Sequence, residues 1–364
     1  MASMSLEDLI KRIPKAELHV HLVGSVRPET LLRLIEEGHL DSDLRTVKDI
    51  EEFYRFRDFP HFISVYGRVV DCITDEKQFE AITYELLEGE ARCNVRYVEA
   101  SFSPLDHVLR GLDYGRMLDS INRGIARARS DLGVLCSIRV DLVRNYGPEM
   151  GMEVLEWIED KGDNVISVDI GGSEERFPPG PYAKVFRRAR EMGLHTVAHA
   201  GEAAGPESIW EALRLLEVER IGHGVAARDD PSLMEYLRDR GIGVEACPTS
   251  NVGTRVVPSL RDHPIRMFFE AGLKVSVNTD DPSMFGTDMN KEYLQLHREM
   301  GFTVDELFRL SLNALESSFL PAGDKGRMSR EFEEEFSQLA EDMKGLSRPK
   351  KTLTKQGVFK ALQI

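Results

Sequence analysis

A recurring unit of amphipathic helix, glycine and short apolar strand constrains this chain more than any other feature. The helical stretch Gly115–Leu132 ends at Gly133 and is followed by Val134–Val143. Tyr182–Met192 carries Val185, Phe186, Ala189 and Met192 at helical spacing and stops at Gly193. Leu233, Tyr236 and Leu237 mark a helix that stops at Gly241; Ile265, Phe268 and Phe269 mark one that stops at Gly272. Glycine suits these positions because helices commonly terminate in a left-handed residue, which a side chain disfavours. The expected strands are Glu17–Leu22, Val95–Phe102, Val134–Val143, Val165–Ile170, His195–His199, Arg220–His223, Gly243–Cys247 and Lys274–Asn278. Several are rich in valine and isoleucine, as parallel strands covered on both faces are. Eight strands alternating with helices predict an α/β fold, a (β/α)8 barrel of the TIM type. A doubly wound sheet shows the same alternation, and periodicity alone does not separate the two.

The chain's 364 residues suffice for one large barrel. The expected organisation is a single barrel domain over 1–364, with 1–13 an N-terminal extension and 347–364 a basic C-terminal tail. The cluster Arg348–Lys355 reads as a solvated chain end. Glu51–Cys72 breaks the rhythm, because Phe53, Phe56, Phe59, Phe62 and Tyr66 make it unusually aromatic. It predicts either a helical insertion covering the barrel mouth or the apolar face of a barrel helix.

A formal net charge of −15 repels phosphate backbones and argues against nucleic acid as a partner. No apolar run reaches the roughly 20 residues of a membrane-spanning helix. Met1–Lys15 lacks the apolar centre of a secretory signal. Cys72, Cys93, Cys136 and Cys247 show no CxxC spacing, the pattern of reduced thiols in a cytoplasmic protein. The expectation is a soluble cytoplasmic enzyme with a small-molecule substrate and no membrane partner.

The residues suited to chemistry fall at the C-terminal ends of the expected strands, where barrels gather their active sites. His19 and His21 stand two apart on the first strand, so their side chains point the same way. Alone, such a pair is a weak signal. His199 ends the fifth strand before Ala200-Gly201-Glu202, and His223 ends the sixth inside Gly222-His223-Gly224. Asp280 and Asp281 follow the eighth strand in Asn278-Thr279-Asp280-Asp281-Pro282. Each has a bland reading as a core histidine or a capping aspartate. Their placement at one barrel end has none. Three neutral imidazoles and a carboxylate, from His19, His21, His199 and Asp280, form a plausible Zn2+ site that still binds water. Such water loses a proton more readily. Glu202, His223 and Asp281 remain for proton transfer and substrate contacts.

Glu17-Leu18-His19-Val20-His21-Leu22, His199-Ala200-Gly201-Glu202, Gly222-His223-Gly224 and Asn278-Thr279-Asp280-Asp281-Pro282 together resemble the adenosine deaminase family of the amidohydrolase superfamily. Order and spacing agree from about residue 14 to 320. The resemblance implies one zinc ion per chain on His19, His21, His199 and Asp280. It implies hydrolytic deamination of an adenine nucleoside at C6, with release of ammonia. Glu202 would protonate N1, His223 would help deprotonate or orient the attacking water, and Asp280 would act beside the metal. Asp281 would hydrogen-bond N7, the Gly172 N–H would point to N3, and His21 would border the substrate. Ser250 and Asp169 would support the site from behind, although turn and strand-end bonding explains them equally well. Two-metal amidohydrolases usually carry a lysine on the fourth strand. Val165–Ile170 has none, which favours a single metal.

Relatives acting on adenosine often place aspartate two residues after the second histidine, within reach of the ribose. Here Val23 stands at that position and cannot accept a hydrogen bond. Adenosine and 2′-deoxyadenosine are the first expected substrates. The principal competitor is 6-aminodeoxyfutalosine, an adenine nucleoside with an aromatic 5′ extension that Val23 and the aromatic segment would suit. Free adenine comes third. Nucleic-acid deaminases carry His-x-Glu followed by Pro-Cys-x-x-Cys. His297-Arg298-Glu299 matches the first half, but the second is missing. A hydrolase of another amidohydrolase branch fits His-Ala-Gly-Glu poorly. A non-catalytic scaffold should lose a metal or proton-transfer residue, and all are present.

Overall fold

In the computed structural model, which describes residues 5–342, eight strands follow one another around a parallel sheet in chain order. They are β1 (Lys15–His21), β2 (Val95–Phe102), β3 (Leu135–Asp141), β4 (Val165–Asp169), β5 (His195–Ala200), β6 (Arg220–His223), β7 (Gly243–Ala246) and β8 (Lys274–Val277). Sequential order separates a barrel from a doubly wound sheet, whose strand order must reverse at a switch point. The barrel closes where β1 meets the chain beyond β8. His21 N–H donates to Asp280 O at 2.8 Å, and Asp280 N–H donates to His19 O at 3.0 Å. The closing seam therefore runs through three of the expected metal ligands.

Helices fill the connections. Tyr114–Leu132 starts on the Asp113 side chain, which accepts from Arg116 N–H, and ends at left-handed Gly133. Its buried face carries Met117, Leu118, Ile121, Ile125 and Ala128 at i, i+3 and i+4 spacings. Each fully buried leucine or isoleucine there contributes roughly 1.5–3 kcal/mol. Gly193, Gly241 and Gly272 also take positive φ, as helix-ending glycines are expected to. Several observed strands stop one or two residues short of the expected ends. Leu22 and Val23, for example, already belong to a tight turn that carries the chain away from the sheet.

The aromatic segment forms two helices, Val47–Phe53 and Phe59–Asp71. The second packs Phe62 against Phe285, with ring centroids 5.2 Å apart. This helix lies across the barrel mouth, and Gln78–Arg92 instead serves as the barrel helix leading into β2. Of the expected N-terminal extension, residues 6–12 form a short helix started by Ser5. The expected basic tail 347–364 lies outside the described residues. No helix among the described residues is long and apolar enough to cross a membrane.

The barrel interior is filled with paired charge. Arg139 Nη1 lies 2.7 Å from Glu245 Oε2, and Arg220 Nε lies 2.7 Å from Glu245 Oε1. Arg220 also reaches Glu99, and Arg139 Nε lies 3.4 Å from Asp169 Oδ2. All five side chains are buried. Burial alone would push the Glu245 carboxyl up, but Arg139 and Arg220 hold it well below the usual range.

Candidate active site

At the C-terminal end of the strands lies a cavity of about 320 Å3. Its floor includes His21, His199, Glu202, His223, Asp280 and Asp281. The ligand atoms of His19, His21, His199 and Asp280 all lie within 4.8 Å of one another. Their arrangement follows from what holds them. His19 Nδ1 is 2.9 Å from Glu245 Oε2, and His199 Nδ1 is 2.9 Å from Asp169 Oδ2. Each of these rings therefore turns its Nε2 toward the centre. His19 Nε2 is buried without a hydrogen-bond partner, and both it and His21 Nε2 lie 3.3 Å from Asp280 Oδ1. The Ser250 hydroxyl donates to Asp280 Oδ2 at 2.6 Å. An orphaned imidazole nitrogen among convergent nitrogen and oxygen donors fits a divalent metal. His19, Asp280, His223 and Cys247 also come close together. Burial and Asp280 push the Cys247 thiol well up.

Glu202, His223 and Asp281 surround this cluster. Burial, helped by the Asp280 and Glu174 charges, pushes the Glu202 carboxyl well above the usual range. Burial and Asp280 do the same for Asp281. A dication at the cluster would oppose both shifts, so the protonated state rests chiefly on burial. His223 is driven well below its ordinary value by burial and stays neutral. A chain of buried groups sets its tautomer. Ile265 N–H donates to His263 Nδ1, so His263 Nε2 carries hydrogen and donates to Asn251 Oδ1 at 3.1 Å. Asn251 must then present its amide hydrogens to His223 Nδ1 at 3.2 Å and to Glu202 Oε1 at 3.4 Å. Neutral His223 consequently carries its proton on Nε2, 3.6 Å from Glu202 Oε2. His223 and Asp280 both hold positive φ, +60° and +65°, a strained state for residues with side chains.

Two glycines are required by close approach. A Cβ on Gly24 would sit 1.7 Å from Asp281 Oδ1. Gly172, at φ +96°, would place a Cβ 2.5 Å from Asn145 Oδ1. Asp141 steadies the neighbouring loop by accepting from Gly171 N–H at 2.7 Å and from the Ser103 hydroxyl at 2.9 Å.

The structure brings His19, His21, His199, Asp280, Glu202, His223, Asp281 and Gly172 to one site, with Asp169 and Ser250 behind the ligands. Val23 is not among them. It is 2% exposed, packs in the apolar core at the start of the turn after β1, and does not line the cavity. The apolar wall comes instead from Phe59, Phe62, Ile63, Tyr66 and Val70 of the aromatic helix. The cavity is also lined by the polar residues Ser103, Asp106, Arg110, Asn145 and Tyr146. Sequence reasoning missed Glu245, Asn251, Glu174 and Asp141. Glu245 and Asn251 stand close to Ser250 in the chain, in Glu245-Ala246-Cys247-Pro248-Thr249-Ser250-Asn251, just after the seventh strand. Glu174 and Asp141 carry no motif of their own.

The adenosine deaminase family model matches residues 14–335. This chain belongs to that family. Among curated relatives, an aminodeoxyfutalosine deaminase from Streptomyces coelicolor is 39% identical, covering 90% of this chain and 86% of its own. An adenine deaminase structure from Arthrobacter aurescens is 30% identical with a TM-score of 0.86, covering 89% of this chain and 99% of its own. An amidohydrolase from Burkholderia ambifaria, solved with bound Zn, is 27% identical with a TM-score of 0.87, covering 93% of this chain and 95% of its own. Membership of the adenosine deaminase family makes the protein a deaminase, and its His/Asp cluster is suited to a divalent metal.

Proposed function

We propose that this protein hydrolyses the C6 amino group of an adenine nucleoside at a single zinc site, and that its preferred substrate carries an apolar or aromatic 5′ extension of the 6-aminodeoxyfutalosine type. The observation that carries the substrate reading is the cavity wall of Phe59, Phe62, Ile63, Tyr66 and Val70 above the metal cluster. The Streptomyces coelicolor relative supports the same choice over unmodified adenosine. Val23 does not contribute to it, since it lies in the core.

Zinc held by His19, His21, His199 and Asp280 would supply a water acidified toward neutral pH. Glu202, kept protonated by burial, donates to N1 and makes C6 electron-poor. Protonated Asp281 donates to N7, and the Gly172 N–H reaches N3. His223, with hydrogen on Nε2, orients the attacking oxygen and stabilises charge developing there. Asp280, gripped from behind by Ser250, keeps its charge and holds the attacking water in line. The water's oxygen bonds to C6 as the C6–N bond breaks, and its two protons go one to the departing amino group, which leaves as ammonia, and one to restore Glu202.

A nucleotide is a poor candidate. Arg110 is the sole lysine or arginine among the described cavity-lining residues. Its Nε lies 2.5 Å from Asp71, and its Nη1 donates to Asp106 O at 2.6 Å. Asp106 and Asp141 beside it repel a phosphate. Adenosine and 2′-deoxyadenosine form the second reading, favoured by the polar wall of Ser103, Asp106, Asn145 and Tyr146, which offers partners for a sugar.

The test is ammonia release from 6-aminodeoxyfutalosine, adenosine, 2′-deoxyadenosine, adenine and AMP under identical conditions. The expected order of kcat/KM places the extended nucleoside first and AMP last. A free-base preference for adenine would overturn the substrate reading and leave the deaminase chemistry standing.

A further inference from the structure

Two loops meet at the base site: the one after β4, carrying Gly172, and the one after β5, carrying Glu202. A buried carboxylate joins them. Glu174 is 5% exposed, and its carboxylate accepts from four successive backbone N–H groups of the second loop. Gly201 N lies 2.5 Å from Oε1; Glu202, Ala203 and Ala204 N lie 3.0, 2.8 and 3.1 Å from Oε2. Gly201 at φ +70° begins the curl that makes these donors converge. Such a concave run of N–H groups is an anion cradle, here filled from within the chain.

The same junction is gripped from its carbonyl side by Arg144, which is fully buried. Its guanidinium donates to Ile170 O at 3.0 Å, Gly171 O at 3.2 Å and His199 O at 2.6 Å. One acid holds the donors and one base holds the acceptors of the same two strand ends. The Glu202 carboxyl itself has one hydrogen-bonding side chain among the described residues, Asn251, at 3.4 Å. Its position is therefore set mainly by its backbone, and Glu174 sets that backbone.

We infer that Glu174 is a positioning residue, which locks the Glu202 loop to the Gly172 loop so that the N1 donor and the N3 contact meet the purine as one rigid unit. The inference rests on the deaminase reading above. It predicts more than stability. Removing the carboxylate misplaces an acid whose value depends on its distance from N1, and misplacement of about 1 Å costs on the order of 100-fold in rate.

A double-mutant cycle tests this, using the nucleoside that wild-type protein deaminates fastest. Glu174→Gln keeps the size but removes the charge and replaces one of the two acceptor oxygens with an NH2 that turns hydrogens toward part of the cradle. The expected result is a kcat roughly 10- to 100-fold lower, KM changed by less than about threefold, and bound zinc retained. In a Glu202→Gln background the same change should alter kcat by less than about threefold, because the acid it positions is gone. An equal loss in both backgrounds, an unchanged kcat or a loss wholly in KM overturns the assignment. Should Glu174→Gln not fold, Glu174→Asp runs the same cycle with the charge kept and the reach shortened, and the same outcomes decide. Turnover with an additive cycle defeats this inference alone. A wild-type protein that deaminates no nucleoside defeats the functional reading, and this inference with it.

Discussion

Two layers of buried ionisable groups lie one above the other in the barrel, equally dry and oppositely balanced. In the lower layer, Arg139 and Arg220 face Glu99, Glu245 and Asp169 at close range. Every charge there has an opposite partner; despite burial, Arg139 and Arg220 hold the Glu245 carboxyl, and His199 and Arg139 the Asp169 carboxyl, well below the usual range. In the upper layer, Asp280, Asp281 and Glu202 gather around three imidazoles, and no lysine or arginine of the described residues joins them on the cavity floor. Burial keeps protons on Glu202 and Asp281, while His19 Nε2 remains unpartnered. Glu245 and Asp169 of the lower layer also reach His19 and His199 of the upper one. The upper layer has the donor set for a divalent cation, and a dication there would balance its charge.

Removing the metal should break the upper layer without touching the lower one. Chelation is expected to abolish deamination, and added zinc to restore it, with far-ultraviolet circular dichroism unchanged throughout. Full turnover by metal-free protein would sink the proposed mechanism. Next in size, Glu202→Gln should keep its zinc while slowing ammonia release about 10²- to 10⁴-fold, the usual worth of a positioned acid. In the wild type the rate should fall as pH rises through the elevated Glu202 value, since the protonated form is the donor. A rate that climbs with pH across that limb would reverse the assignment.

Arg139→Met tests the lower layer. It leaves Glu245 and Asp169 short of a cation and should cost about 3–5 kcal/mol in denaturant unfolding. Because those carboxylates orient His19 and His199, zinc affinity should also weaken by about 10- to 100-fold. Unchanged zinc affinity would show that the layers are independent. The smallest effect concerns Glu292, a buried carboxyl with neither cation nor metal, held by the Thr287 hydroxyl and Thr249 N–H. Burial raises it to about 7. With a folded value above the unfolded one, its stabilisation is complete below about pH 4.5 and is lost as pH rises through 7. Unfolding free energies of wild type and Glu292→Gln should diverge across that window by up to about 3 kcal/mol. Parallel curves would show that Glu292 is already ionised.

Much of this architecture is legible in the sequence. β2 and β6 match their expected bounds, and the other strands lie within a few residues of theirs, because valine-rich runs bounded by glycine-ended helices have few other uses. His19, His21, His199 and Asp280 could be grouped because strand ends in a barrel converge. Val23 shows where such reasoning stops. Two positions beyond His21 the backbone leaves the strand for a turn, and alternation no longer tells which way a side chain faces. The aromatic segment had two open readings for a similar reason. Its helical spacing was visible, but whether its apolar face met the sheet or the cavity depended on the distant Phe285.

By itself the sequence determined the strand–helix alternation, the ligand types and the likeness to deaminases, since all of these are local patterns repeated along the chain. Only the tertiary structure decided that Glu245 and Asp169 aim two histidines of the candidate metal cluster, that Asn251 sets the tautomer of His223, and that Glu174 holds the loop of Glu202. These contacts join residues 28 to 226 positions apart, and they act through burial, which removes the competing water. Proton affinity in such a site depends on the closed barrel around it, and no stretch of sequence read alone contains that enclosure.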